Sequence, residues 1–128
     1  MKVETQEWVD SAEADWEGVN QLMAPAKSKV LKLICFHTQQ CAEMYLKARL
    51  TEAAIYFPKT HELGELLDLV LPVQPEWETM RETLDVLTVH AVITRYPRYK
   101  LTTEEAETAA KLCAEVRAVV RPALGLSV

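Results

Sequence analysis

Apolar residues in this chain recur every three or four positions between prolines, a pattern that predicts helices from end to end. Val9, Ala12, Trp16, Val19 and Leu22 or Met23 make one stripe, which predicts a first helix over 3–22, closed by Ala24-Pro25-Ala26. A second helix is expected over 27–54. Its apolar arc holds Val30, Leu33, Ile34, Cys41, Met44 and Ala48, and is widened by Leu31, Cys35, Ala42 and Leu46. So wide an arc belongs to a helix in the middle of a bundle rather than at its edge. Lys32, Gln39, Gln40, Glu43 and Lys47 fall on the other side, and His37 is the one polar side chain central to the arc.

Residues 55–61 read as a connection, with Thr60 as N-cap of a short third helix from His61 to about Leu71 that turns Leu63, Leu66, Leu67 and Val70 inward. Pro72 and Pro75 break the chain. Pro75, followed by Glu76 and Glu78, suits the first turn of a fourth helix carrying Trp77, Met80, Leu84, Leu87 and Ala91. Val86, Val89, Val92 and Ile93 would suit a strand by propensity, but the unbroken periodicity keeps this segment helical. Thr102 and Glu105 form a capping box that opens a last helix, running to about Arg121, with Ala106, Ala109, Leu112, Cys113, Val116, Val119 and Val120 inward. No strand pattern survives. Short loops imply antiparallel neighbours, so the expected fold is all-α: an up-and-down bundle of four to five helices in one domain over 1–128.

A chain of 128 residues can bury a real core. Its three glycines leave no Gly-rich phosphate loop. A net charge of −5 argues against broad nucleic-acid binding and makes RNA the less expected partner, while leaving room for a local basic patch. Cys35, Cys41 and Cys113 are odd in number and lack CxxC spacing, which fits reduced, buried thiols in the cytoplasm. The start, MKVETQEW, has no apolar signal core, and no run reaches the roughly 18–20 apolar residues of a membrane span, so no membrane partner is expected.

Three clusters could carry chemistry. On the second helix, Gln39, Gln40, Glu43 and Lys47 share a side, and the last two are spaced for a surface ion pair. That strip is either a solvated face or one turned toward a groove or partner. His37 needs a hydrogen-bond partner if buried, and is either a satisfied core histidine or a site residue. In Lys59-Thr60-His61 the alternatives are simple helix capping, or His61 as a ligand or proton donor at the end of the bundle. Arg95-Tyr96-Pro97-Arg98-Tyr99-Lys100 gathers three cations and two phenols in six residues. Arginine forks match phosphate oxygens and tyrosine rings stack on bases or sugars, so this is either a phosphate-binding loop or a charged turn with Tyr96 packed inward. No HExxH-like spacing and no nucleophile context appear, so neither metal nor cofactor is expected and no catalytic residue is assigned.

The stretch Cys35-Phe-His-Thr-Gln-Gln-Cys-Ala-Glu-Met-Tyr-Leu-Lys-Ala48, then Lys59-Thr-His-Glu-Leu63, Arg95-Tyr-Pro97 and the final Thr-Thr-Glu-Glu-Ala106 helix resembles the HEPN domain (higher eukaryotes and prokaryotes nucleotide-binding), from about Trp8 to Leu124. The resemblance implies a bundle of four to five helices, usually a homodimer. Prokaryotic members are often paired with a minimal nucleotidyltransferase in toxin–antitoxin-like systems, and many active members are metal-independent ribonucleases. The ribonuclease signature is an arginine, four to six residues, then a histidine. Here no histidine follows Arg95, and eight residues separate Arg81 from His90. The expectation is therefore a nucleotide-binding or nucleotidyltransferase-partner module, with Arg95, Tyr96, Arg98, Tyr99, His37, Gln40, Glu43, Lys47 and His61 as candidate binding residues. Two alternatives stand beside it. One is an endoribonuclease with a divergent site, in which Arg95 stabilises the transition state and His37 or His61 is the general acid or base. The other is a structural dimerisation module, which an exposed Trp8, Trp16 or Trp77 would signal.

Overall fold

The structure, a computed structural model, describes residues 1–24 and 30–128. Five α-helices follow in order: α1 (Val3–Met23), α2 (Leu31–Glu52), α3 (Leu63–Val70), α4 (Arg81–Ile93) and α5 (Thr103–Ala123). No strand occurs among the described residues. The expected break at Pro25-Ala26 and the start of the second helix at 27 lie outside the described residues.

Helix α2 packs against all four other helices, and 13 of its 22 residues are buried, as its broad apolar arc required. It runs antiparallel to α1: Thr5 reaches Glu52, Glu13 reaches Tyr45 and Asp15 reaches His37. It runs antiparallel to α4 as well, with Arg49 bonded to Gln74 at one end and Phe36 sharing a groove with Val92 at the other. Tyr45 meets Arg121, and Leu31 and Ile34 cluster with Ala106, so α5 runs parallel to α2 and packs directly against it. The main core joins Val9, Tyr45, Leu46, Leu50, Leu66, Leu67, Trp77, Leu84, Leu87, Val116 and Val120. A smaller cluster of Val19, Leu31, Ile34 and Ala106 closes one end.

A polar knot ties α1, α2 and α5 together. Tyr45 donates to Glu13 at 2.6 Å, while Arg117 grips both Glu13 oxygens at 2.6 and 2.8 Å. Arg117's hydrogen bonds hold the Glu13 carboxyl below the usual carboxylate range against the opposing effect of burial. Burial pushes the Tyr45 phenol up.

Several local expectations need correction. Leu33 and Val119 face outward. Pro75–Met80 is a 3-10 helix rather than the first turn of α4. Three residues per turn eclipse Trp77 and Met80, which puts both of them, three apart, in the core. The third helix starts at Leu63 and has no side-chain cap. Thr60 instead accepts from the Glu62 backbone N–H and donates to Glu65, holding the loop ahead of the helix. The capping box is present as expected, with Thr102 and Glu105 each accepting the other's backbone N–H. Trp77 is buried, and Trp8 and Trp16 pack against the core. The exposed large apolar residues instead include Leu33 and Phe36 on α2 and Val86, Val89 and Val92 on α4. Among the described residues no helix is long and apolar enough to cross a membrane.

Two helices end in the same backbone device. At the end of α5, Leu126 N–H bonds Arg121 C=O and Gly125 N–H bonds Pro122 C=O, with Gly125 at φ 78°. At the end of α2, Ile55 N–H bonds Leu50 C=O and Ala54 N–H bonds Thr51 C=O, but the left-handed position holds Ala54 at φ 58°. A Cβ is strained there, and the strain is sustained because the turn launches the 55–62 loop. Ala54→Gly is expected to raise unfolding stability by about 1 kcal/mol in urea titration; an unchanged or lower midpoint would refute the strain.

Candidate functional site

Between the outer side of α2, the loop before α3 and the end of α4 lies a groove of about 720 Å³. Phe36, Gln39 and Gln40 form the α2 wall, residues 59–62 one rim, and Thr88, Ala91, Val92, Thr94 and Arg95 the opposite wall. The volume suits a small organic ligand. The α2 wall exists because Phe36 and Gln40 are one turn apart on a side of α2 that α4 covers only in part.

The groove carries two cations, Lys59 and Arg95, against one carboxylate, Glu62, within an acidic protein. Lys59 and Arg95 both line it, and neither side chain makes an ion pair with another described residue. Four of the other described cations are engaged in ion pairs: Arg81 with Asp68 and Glu78, Arg117 and Arg121 with Glu13, and Lys47 with Glu43.

His61 is held twice. Gln39 donates through Nε2 to the His61 carbonyl at 2.9 Å, and His61 Nδ1 sits 3.1 and 3.2 Å from the two Glu43 oxygens. Glu43 is only 1% exposed, and its second partner is the Lys47 ammonium at 2.9 Å. That ammonium lies over the Trp8 ring at 5.5 Å and the Phe57 ring at 5.8 Å. A buried ion pair is strongly destabilising to break from one side, because the remaining charge has no solvent.

The nine expected binding residues therefore separate. Gln40, His61 and Arg95 meet in the groove. Glu43 and Lys47 do not form a solvated strip: they are buried beneath His61, because α2 is enclosed on its polar side too. His37 turns toward α1, where Asp15 takes Nδ1 at 2.7 Å, and it is half-buried rather than central to the core. Burial pushes the Asp15 carboxyl above the usual range, partly offset by its hydrogen bond to His37. Tyr96 is exposed beyond the end of α4, where its carbonyl accepts from Lys32. Arg98 is exposed outside the groove. Tyr99 donates to Glu105 beside the capping box, so its hydroxyl is already engaged. Phe36, Gln39 and Lys59 belong to the groove but were not among the expected site residues. The Phe36-to-Gln40 spacing and the proximity of Lys59 to His61 were the available signals.

Lys47→Met strands the buried Glu43 charge and is expected to cost about 3 kcal/mol in urea unfolding, whereas Glu43→Leu/Lys47→Met together should recover most of that loss. Additive losses in the double variant would show that the pair is not coupled.

The HEPN domain profile matches residues 5–122. No curated protein and no solved structure matches the chain. The matched span takes in all five helices, the Glu43–His61 contact and the groove, and the chain belongs to the HEPN family.

Proposed function

We propose that this HEPN-family module holds a nucleotide in the groove between α2 and α4. The observation that carries the reading is the meeting of two cations, Lys59 and Arg95, with an exposed aromatic ring, Phe36, in one groove of a protein whose net charge is −5. The cations take the phosphate, Arg95 through its planar fork. Phe36, 49% exposed, offers a face to the base, and Gln40 offers an amide to its edge. Three buried free thiols fit a reducing cytoplasm.

Calorimetric titration with ATP, GTP and their monophosphates should give micromolar binding, weakened about tenfold or more by Arg95→Ala. Absence of binding by the folded parent protein would end the nucleotide-holding reading.

The same face also supports pairing. Leu33 and Val89 are 48% and 51% exposed, and each lies one turn from a groove residue, Phe36 and Val92 respectively. A second copy of the chain covering this stripe would make the homodimer usual for the family, and a nucleotidyltransferase partner of a toxin–antitoxin-like pair would then dock at the open groove mouth. Light scattering after gel filtration should show a dimer for the parent chain and a monomer for Val89→Glu; a monomeric parent would remove the pairing role of this face.

A further inference from the structure

We infer that His61 is a specificity-determining residue that accepts a hydrogen bond from a sugar hydroxyl, so that the groove takes ribonucleotides in preference to deoxyribonucleotides. The inference rests on the nucleotide-holding reading of the groove and names the class of ligand it would select.

The His61 side chain is 82% exposed and buries almost nothing itself. Even so, α2 devotes two residues, one turn apart, to fixing it: Gln39 holds its carbonyl and Glu43 holds its ring. Glu43 is itself buried, and its other partner is the Lys47 ammonium. A loop anchor alone would not need the ring, since the Gln39 bond to the backbone already ties the loop to α2.

The contact also sets the tautomer. The Glu43 carboxylate, receiving the Lys47 ammonium on Oε2, can only accept from the ring. His61 Nδ1 therefore carries the proton, and when the ring is neutral Nε2, which has no hydrogen-bond partner among the described residues, is a bare acceptor on a residue of the groove rim. A bare acceptor nitrogen repels a phosphate oxygen and attracts a hydroxyl. Lys59, two residues away, and Arg95 on the facing wall supply the phosphate contacts. The hydroxyls that lie next to a nucleotide's phosphate are those of the ribose, and the 2′-hydroxyl is the group that separates ribose from deoxyribose. With the ring at an open rim, the discrimination should be that of one hydrogen bond, about two- to tenfold.

The test is equilibrium titration of the full chain at pH 8, where an ordinary imidazole is neutral. The ligands are AMP, 2′-deoxy-AMP and 3′-deoxy-AMP, and the proteins are the parent and His61→Phe, which keeps an exposed ring without the acceptor. The parent should bind AMP about two- to tenfold more tightly than 2′-deoxy-AMP, and His61→Phe should bind all three alike. Equal binding of the three ligands by the parent, or discrimination retained in His61→Phe, would overturn the inference while leaving the groove a nucleotide site. Binding of none of them would overturn the groove reading, and the inference with it. Long-range ¹H–¹⁵N spectra give an independent readout: His61 should show Nδ1 protonated and Nε2 bare, and the reverse tautomer would refute the hydroxyl-accepting role.

Discussion

Helix α2 is enclosed by the other four helices, and the rest of the structure follows from that enclosure. A helix with an ordinary amphipathic face would leave its polar row in water. Here Gln39, Glu43 and Lys47 are buried as fully as the aliphatic residues around them, so each must find a partner inside the protein. Glu43 and Lys47 satisfy one another, and the remaining acceptor capacity of Glu43 is met by the loop residue His61. The geometry of the groove rim is thus a consequence of core packing. The loop is pinned because the buried carboxylate of α2 needs a second donor.

The left-handed turn at Ala54 serves the same end. It stops α2 abruptly and sends the chain back along its own helix, so that Phe57 reaches the Lys47 ammonium and His61 reaches Glu43. The Trp8–Phe57 edge contact at 5.9 Å and the two cation–ring contacts then close the space around the ion pair. Local strain at one residue is offset by a buried ionic and aromatic cluster several residues further on. Elsewhere on α2, Asp15 holds His37 by the same nitrogen, Nδ1, and the ring sits edge-on to Phe36 at 5.3 Å without lining the groove itself. Two histidines of similar chemistry are thus assigned to different surroundings by which helix supplies the carboxylate.

The charge distribution follows the same division. Arg117 and Arg121 are held on Glu13, and Arg81 on Asp68 and Glu78. Among the described residues Lys59 and Arg95 make no ion pair, and they stand on facing walls of one groove whose rim also carries Glu62. In the sequence the Arg95-to-Lys100 segment read either as a phosphate-binding loop or as a charged turn with Tyr96 packed inward. The end of α4 instead divides it, turning Arg95 into the groove, leaving Tyr96 and Arg98 in solvent and spending Tyr99 on Glu105.

Periodicity alone was enough to determine the helical class, the five helices, the central place of α2 and the capping box that starts α5. Each of these depends on residues within a few turns of one another, and spacing along the chain reports them directly. The Pro75–Met80 turn was misassigned because a 3.0- and a 3.6-residue period cannot be told apart over six residues. Gln40, His61 and Arg95 could be nominated from the sequence, but their meeting could not, because α2, the loop and α4 come together only through packing. Least legible of all was the burial of Glu43 and Lys47. A helical wheel separates polar from apolar sides, yet it cannot say whether water or another part of the chain lies against the polar one. Only the tertiary structure decided that, by laying Trp8 and Phe57 over the pair and so converting an apparent surface ion pair into the support of the groove.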